Sequence, residues 1–300
     1  MTNTNATAAA KPLALRYLAC LRPQDVLVLQ GPPLLGAVFA MGTHTMRQLA
    51  PLATLMGANL FLVAHIFLLN DWSGLAADLA DPNKARRVFT ARGVGRAEIG
   101  ILAAGVLSLS LFLFSRLRPM TFVLALATVA LSALYSVPRF HWKGRPLLNS
   151  FAHLAGGILH FLLGYSIGRP IDHRGFFIAT FFALVFAAGH LAQEIRDHDG
   201  DAANGITTNA VRFGPQPAFI ASLALFTLAQ MILLALAVDR VLPLPLAFAA
   251  ALYPLQLHWS FAAWRDGLTY ASVSRLQSRY RALYALVGVA MVATVMAPIV

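Results

Sequence analysis

The sequence predicts an all-α membrane protein with nine transmembrane helices. Three features favour this fold class: 58% of the 300 residues are hydrophobic, only 12% are charged, and the mean hydropathy is +0.68. This composition excludes an ordinary soluble domain and is typical of a multi-pass membrane protein. The long apolar runs are continuous rather than alternating in polarity, which argues against a membrane β-barrel.

Nine apolar segments are each close to the roughly 20 residues that a helix needs to cross a bilayer. They run over residues 25–43, 50–69, 99–115, 119–137, 148–168, 175–193, 217–238, 242–263 and 280–299. Prolines such as Pro33 and Pro254 are expected to begin or bend helices rather than to remove a segment. Residues 1–12 are expected to form a disordered polar tail, followed by a single membrane domain over residues 13–300.

The positive charges define an orientation for this layout. With the N-terminus in the cytoplasm, most of the 23 lysines and arginines fall on the cytoplasmic side, as the positive-inside rule requires. Loops that face anionic membrane lipids explain the net charge of +11, and nucleic acid is not expected as a partner. We therefore expect an integral protein of a bacterial inner or cytoplasmic membrane, with its candidate site on the cytoplasmic face.

More than half of the 12 acidic residues lie in two short polar stretches, each directly after an apolar segment. The first stretch runs from Asn70 to Asp81, and the second runs from Glu194 to Asp201. Carboxylates are costly beside a bilayer, so clusters of them there usually mark a site. Because Mg²⁺ prefers oxygen ligands, the two stretches predict divalent cations that hold an anionic substrate.

The second stretch has helical spacing. If the preceding helix continues, Glu194, Asp197 and Asp201 share one face, where they repel one another unless cations bind between them. His190 lies on the same face and is expected to be packed or hydrogen-bonded rather than a ligand. Asp199 points elsewhere and is expected to be solvated. The alternative for the whole stretch is a polar helix end that faces water.

The first stretch is less complete than the second. Asn70, Gly74 and Asp78 share a helix face, and Asp71 lies close to Asp78 in angle after two turns. An asparagine carbonyl and a carboxylate are both suitable Mg²⁺ ligands, whereas Gly74 leaves a gap between them. Asp81, just beyond, is expected to be solvated.

A third polar element lies between the two stretches, at residues 135–145, and begins with Tyr135 at a predicted helix end. Basic side chains in this element and after the first stretch can hold phosphate by charge and by paired hydrogen bonds. These candidates are Lys84, Arg86, Arg87, Arg139, Lys143 and Arg145. The alternative is ordinary loops that obey the positive-inside rule. In the nine-span layout all three elements lie on one face and can converge.

At these elements the chain resembles the UbiA superfamily of intramembrane prenyltransferases, in which nine helices surround a central cavity. The matching positions are Asn70, Asp71 and Asp78 for the family's first motif, NDxxDxxxD; Tyr135, Ser136, Pro138 and Lys143 for its YSxPxxxxK loop; and Glu194, Asp197 and Asp201 for its second motif, often DxxDxxxD. Residues 202–214 resemble the tail of that motif, and Arg22-Pro23 resembles the family's opening. Gly74 departs from the family, which has a metal-binding aspartate there.

The resemblance implies Mg²⁺-dependent transfer of a prenyl group from an isoprenyl diphosphate to a lipophilic or aromatic acceptor, such as a quinone precursor or a lipid. The implied metal ligands are Asn70, Asp78, Glu194, Asp197 and Asp201. The implied catalytic residues are Asp71, Asp78, Asp197, Asp201 and Tyr135, whose ring face can stabilise an allylic cation. Arg22 joins the basic residues named above as an implied diphosphate ligand. Gly74 implies that one Mg²⁺ is bound weakly.

Other interpretations stay open within the fold: a terpene cyclase, or a polyprenyl-phosphate phosphoribosyltransferase that uses the same cavity. A membrane transporter is the alternative from another class, but the predicted helix centres hold no carboxylates that could line a path across the bilayer. A CDP-alcohol phosphotransferase expects a DGxxAR stretch, which residues 199–204 do not supply. Cys20 is the only cysteine, so an intrachain disulfide and a multi-thiolate metal site are excluded.

Overall fold

The chain folds into helices and connecting loops, and no strand occurs among residues 12–42 and 46–296, which a computed structural model describes. The all-α fold class is therefore confirmed. The disordered tail expected over residues 1–12 lies outside the described residues except for Pro12, as does the end of the predicted segment 280–299.

Thirteen α-helices and four 3₁₀ helices follow one another along the described chain. The α-helices are α1 (Leu13–Cys20), α2 (Pro23–Val28), α3 (Gly31–Met41), α4 (Met46–Ala80), α5 (Arg96–Phe114), α6 (Pro119–Ser136), α7 (Leu148–Gly168), α8 (His173–Arg196), α9 (His198–Ala203), α10 (Asn209–Phe213), α11 (Pro215–Val238), α12 (Tyr253–Arg265) and α13 (Tyr270–Met296). The 3₁₀ helices are Ala85–Arg87, Thr90–Arg92, Trp142–Gly144 and Leu244–Leu252.

Eight helical segments within the described residues are long and apolar enough to cross a membrane. They correspond to the first seven predicted segments and the ninth, with α2 and α3 together forming the first. The predicted eighth segment, 242–263, is divided between the 3₁₀ helix Leu244–Leu252 and α12. Pro254 stands in the first turn of α12, where a missing N–H costs no hydrogen bond. The expected count of nine spans is therefore not confirmed.

Helix α4 is much longer than the predicted segment 50–69. It has 35 residues and continues to Ala80, so the first acidic stretch lies on its last turns. Helix α4 is about 52 Å long, whereas the hydrocarbon core of a bilayer is about 30 Å thick. The helix ends before Asp81-Pro82, since proline disfavours helical dihedrals in the residue that precedes it.

Close contacts between helix backbones depend on glycine. A Cβ atom on Gly164 of α7 would overlap the carbonyl group of Pro33 in α3. A Cβ atom on Gly157 of α7 would lie 2.5 Å from the Cα atom of Ala183 in α8. Small residues allow helices in a membrane to approach this closely and to gain dispersion energy. Helix α7 is therefore held between α3 and α8 by backbone contact.

A buried chain of polar side chains joins α4 to α7 and to the junction of α2 with α3. Asn59 donates to the Oε1 atom of Gln30 at 2.9 Å, and its Oδ1 atom lies 2.9 Å from Nε2 of His160. Polar groups in an apolar interior must find partners inside the protein. This network therefore fixes the relative position of the helices that lead to the polar end.

We expect Gly164→Ala to lower the free energy of unfolding by about 1–3 kcal/mol, because overpacking forces α3 and α7 apart. Gly105→Ala in α5 is the matched control, since a Cβ atom there meets no atom within 4 Å. Thermal unfolding in detergent or lipid measures both variants. Equal melting temperatures for the two variants would contradict the assigned contact.

Candidate active site

Two of the three polar elements predicted from the sequence line one cavity of about 410 Å³, together with residues that follow the second acidic stretch. Asn70 and Gly74 of α4 line it, together with Pro138 and Lys143 of the loop 137–147 and Asn204 after α9. The cavity lies at the ends of α4 and α6, beside the loop 137–147. The second acidic stretch does not line the cavity and instead reaches the first polar element through the contact of Lys84 with Asp197.

An ammonium group faces the gap left by Gly74. A Cβ atom on this glycine would lie 3.7 Å from Oδ2 of Asp78 and 3.8 Å from Nζ of Lys143. The implied metal ligand Asp78 and the implied diphosphate ligand Lys143 are thus brought to the same side of α4. In relatives an aspartate at position 74 would bind a diphosphate through a metal ion. Here the ammonium group of Lys143 can attract the diphosphate directly by its positive charge.

Asp71 and Arg22 form an ion pair. Arg22 donates to both carboxylate oxygens of Asp71, with Nη2 at 2.5 Å from Oδ1 and Nε at 3.1 Å from Oδ2. Arg22 adopts a left-handed backbone conformation with φ of 51°, and its guanidinium lies 5.4 Å from the ring centroid of Phe67. The pair anchors the start of α2 to α4. Two residues with implied roles in catalysis therefore contact each other directly.

The second stretch is not one continuous helix. Helix α8 ends at Arg196, Asp197 is its C-terminal cap with φ of −91° and ψ of 4°, and α9 begins at His198. Asp197 accepts two hydrogen bonds from Arg196, at 2.7 and 3.0 Å, and its Oδ2 atom lies 3.1 Å from Nζ of Lys84. The continuous helix on which the predicted common face of Glu194, Asp197 and Asp201 depended is thus interrupted at Asp197, although Asp201 N–H still donates to the carbonyl of Asp197 at 2.9 Å.

Glu194 is buried and accepts hydrogen bonds from residues on two other helices. Its donors are the side-chain amide of Asn149 at 2.6 Å, the side-chain amide of Asn209 at 3.1 Å, and the backbone N–H groups of Asn209 and Ala210 at 2.8 and 3.3 Å. Nε2 of His190 lies 2.8 Å from Oε1. These contacts connect α8 to the N-termini of α7 and α10. The carboxylate of Glu194 is therefore occupied by structural hydrogen bonds and is not open to a metal ion.

The other acidic residues separate by burial. Asp199 is exposed and contacts His198, as the sequence predicts. Asp201 is buried, and this burial raises the pKa of its carboxyl to about 6 although Lys84 and Lys143 oppose the shift. The prediction that Asp81 is solvated is wrong: it is 4% exposed, because α9 packs over it.

Lys84 is the basic residue most closely surrounded by these carboxylates. Burial alone would lower the pKa of its ammonium group, but the charges of Asp197, Asp201 and Asp78 outweigh burial and raise that pKa. Asp197 shows the converse. Burial would raise the pKa of its carboxyl, but Arg196 and Lys84 hold that pKa below its ordinary value.

The four remaining basic candidates lie on the surface of the loops that follow α4 and α6. They are exposed, and none forms a salt bridge within the described part of the chain: Arg86, Arg87, Arg139 and Arg145. Exposed guanidinium groups at a membrane surface can draw an anionic head group towards the cavity. The structure therefore has Lys143 in the lining of the cavity, Lys84 between the acidic stretches, and four arginines exposed on the loops that follow α4 and α6.

Tyr135 belongs to a group of aromatic side chains beneath the acidic stretches. Its ring meets the edges of His153 and His190, with centroid distances of 5.0 and 6.2 Å. The two histidine rings stack at 3.4 Å with an interplanar angle of 7°. Because His190 lies beside Glu194, this aromatic group directly adjoins the polar site.

Three side chains missed by the sequence reasoning help to form the site: Asn149, Asn209 and His141. The two asparagines are buried with Glu194, and Asn209 also accepts a hydrogen bond from the backbone N–H of Leu147 at 2.8 Å. His141 lines the cavity in a left-handed conformation, and burial lowers the pKa of its imidazole. Each asparagine stands at the start of a helix, and a polar residue at such a position is the sequence feature that could have indicated them.

A divalent cation could be held here by few protein ligands. In the described part of the chain no group of three His, Cys, Asp or Glu residues lies close enough to bind a metal. Asn70, Asp78 and Asp201 nevertheless offer hard oxygen donors, and neither carboxylate forms a salt bridge with any residue that the structure describes. Mg²⁺ is commonly bound through one or two carboxylates plus the phosphates of a substrate. The donor set fits this mode of binding.

The helical bundle thus has two acidic stretches joined by Lys84, and a polar cavity lined by Asn70 and Lys143. The UbiA prenyltransferase family matches residues 31–284, most of the chain. The chain belongs to this family and is a prenyltransferase.

Similar proteins extend over most of the chain. A protein of Haloferax volcanii named lycopene elongase/hydratase is 28% identical over 223 residues, which cover 72% of this chain and 71% of that protein. A UbiA homolog from Archaeoglobus fulgidus bound to GPP and Mg²⁺ has a TM-score of 0.70 and 19% identity, covering 93% of this chain and 99% of its own. The apo UbiA homolog from Aeropyrum pernix K1 has a TM-score of 0.71 and 20% identity, covering 90% and 98%.

We expect Glu194→Gln to lower the free energy of unfolding by about 1–3 kcal/mol, since it places an amide among buried N–H donors. Asp199→Asn is the matched control, because this exposed carboxylate has no buried donors, and no change is expected. Thermal unfolding without added metal measures the effect. A Glu194→Gln protein as stable as wild type would argue for a ligand role instead.

Proposed function

We propose that this prenyltransferase uses Mg²⁺ to transfer a prenyl group from an isoprenyl diphosphate to a lipophilic acceptor, at the cytoplasmic face of the membrane. The observation that carries the proposal is the 410 Å³ cavity, where Asn70 and Lys143 come together from separate predicted motifs. The homolog of known structure bound to GPP and Mg²⁺ supports the same donor class. The positive-inside distribution of charge supports the orientation.

The chain's own residues bind and orient the diphosphate in this proposal. Asn70, Asp78 and Asp201 hold its magnesium salt, and the cation, when bound, withdraws charge from the phosphate oxygens. Lys143 lines the same cavity and stabilises the negative charge that develops on the leaving diphosphate. Fixed charges act strongly here, because the site adjoins an apolar interior that excludes water.

Bond breaking then separates charge. The electrons of the carbon–oxygen bond leave with the diphosphate, and an allylic cation remains on the prenyl carbon. The ring of Tyr135 offers a negative π face to this cation, and its packing against His153 and His190 keeps the ring in place. The π electrons of the acceptor form the new carbon–carbon bond, which leaves a cation on the acceptor. That cation either loses a proton or adds a water molecule, which then releases a proton.

Among acceptors we favour a long apolar polyene over an aromatic ring, a quinone precursor or a lipid. The relative named lycopene elongase/hydratase supports this choice, since it matches over 72% of the chain. An elongated hydrocarbon also suits a site that adjoins the interior of a membrane bundle, where a polar acceptor would lose its hydration.

We expect Asp201→Ala to reduce pyrophosphate release at least ~100-fold, because a buried donor for the magnesium diphosphate is lost. The rate of pyrophosphate release by Asp199→Ala should stay within about twofold of the wild-type rate, since the carboxylate of Asp199 is exposed. Full turnover by purified Asp201→Ala would contradict the metal assignment.

The donor and the acceptor are tested together. Purified protein in lipid receives Mg²⁺, dimethylallyl or geranyl diphosphate, and either lycopene, 4-hydroxybenzoate or a glycerol phosphate lipid, and products are identified by mass spectrometry. We expect a prenylated product with lycopene. A product with an aromatic acceptor alone would overturn the acceptor, and no pyrophosphate release with any donor would overturn the function.

We expect Tyr135→Phe to keep most of the activity and Tyr135→Leu to lose about tenfold or more in kcat, because the ring face rather than the hydroxyl stabilises the cation. Single-turnover rates with saturating donor measure the difference. A large loss in Tyr135→Phe would show that the hydroxyl is required.

A further inference from the structure

Lys84 joins the two acidic stretches. Its Nζ atom lies 3.1 Å from Oδ2 of Asp197 in the second stretch and 3.5 Å from Oδ2 of Asp81 at the end of the first. The lysine side chain is 30% exposed, whereas those of Asp81 and Asp197 are 5% and 14% exposed. A single positive charge therefore lies between two largely buried negative charges that belong to different parts of the chain.

The position of Asp81 is tightly fixed. A Cβ atom on Gly200 would lie only 2.6 Å from Oδ2 of Asp81, so α9 packs directly over this carboxylate. The other oxygen of Asp81 accepts a hydrogen bond from the backbone N–H of Asn83 at 2.9 Å. The contact between Asp81 and Lys84 thus belongs to a packed interface between α9 and the end of the first stretch, and not to the exposed surface.

Four of the acidic residues separate into two sets by their partners. Asp81 and Asp197 are neutralised by Lys84, with Arg196 also paired to Asp197. Asp78 and Asp201 form no salt bridge within the described part of the chain. Carboxylates that approach one another at low dielectric repel unless cations separate them. Asp81 and Asp197 are thus paired with cationic side chains of the protein, whereas Asp78 and Asp201 are available to an external cation.

We propose that Lys84 is a positioning residue that takes the place of a second divalent cation between the two acidic stretches. This inference rests on the proposed function, because it concerns the same diphosphate site. The site then takes up one divalent cation for each bound diphosphate, held through Asn70, Asp78 and Asp201. The first stretch lacks a carboxylate at Gly74, which agrees with a site that holds fewer metal ions.

A built-in ammonium group differs from a metal ion in one measurable way. Its charge is present at all metal concentrations, so the two stretches stay together when divalent cations are removed. We therefore expect the melting temperature of wild type to be insensitive to EDTA. The Lys84→Met protein should melt at a lower temperature, and Mn²⁺ should restore part of the difference by binding between Asp81 and Asp197.

The number of bound cations tests the proposal directly. Mn²⁺ is titrated into detergent-purified protein saturated with geranyl S-thiolodiphosphate, an unreactive donor analogue, and bound Mn²⁺ is counted by electron paramagnetic resonance. We expect one Mn²⁺ per chain in wild type and two in Lys84→Met. Lys84→Arg, which keeps the charge, should bind one. Arg275→Met is the matched control, because it removes an exposed ion pair with Asp266 and should also bind one.

Two Mn²⁺ ions bound to wild type would overturn the inference and leave the proposed function intact. One ion bound to a folded Lys84→Met protein with unchanged thermal stability would also overturn it. No analogue-dependent Mn²⁺ binding in wild type would overturn the metal dependence of the proposed function, and this inference with it. The wild-type count decides the question even where Lys84→Met does not fold.

Discussion

Close neutralisation of carboxylates at the edge of the bilayer is the constraint on which the polar end of this protein depends. Each acidic stretch is tied to a different segment by a cation of the chain itself. Arg22 joins α2 to Asp71 on α4, and Lys84 joins the loop after α4 to Asp197. Such pairs are strong only over a few ångströms and where water is scarce. The loops therefore take positions that the charges dictate, and the cavity is the space left between them.

The apolar part of the bundle is held by a different kind of contact. Glycine lets α7 approach α3 at Gly164 and α8 at Gly157, so that dispersion between backbones fixes the helix spacing. Glu194 connects the two regions, because its hydrogen bonds from Asn149 and Asn209 bring the starts of α7 and α10 to the end of α8. A rigid scaffold thus presents side chains whose positions are set by charge.

The apolar runs predict the helical class and most of the spans, because hydrophobic length is a local property of sequence. The convergence of the three polar elements follows from the sidedness of their charges. The break at Asp197, the burial of Asp81 and the partners of Glu194 could not be predicted. Each depends on contacts between distant residues, such as Asn149 with Glu194, which are 45 positions apart. Local spacing alone predicts that Glu194, Asp197 and Asp201 of the second stretch all bind metal. Their partners from distant parts of the chain give them different environments, some in ion pairs and hydrogen bonds and others without a paired cation.

The length of α4 bears on where the two ends of a substrate would lie. With 35 residues the helix is longer than the hydrocarbon core of a bilayer is thick, and its last turns carry the first acidic stretch. In the function proposed above, a diphosphate at this polar end would leave its hydrocarbon chain in contact with the apolar part of the bundle and with lipid. Drawing ten carbons into water would cost about 8 kcal/mol. A site at the polar end of a long apolar helix would avoid this cost.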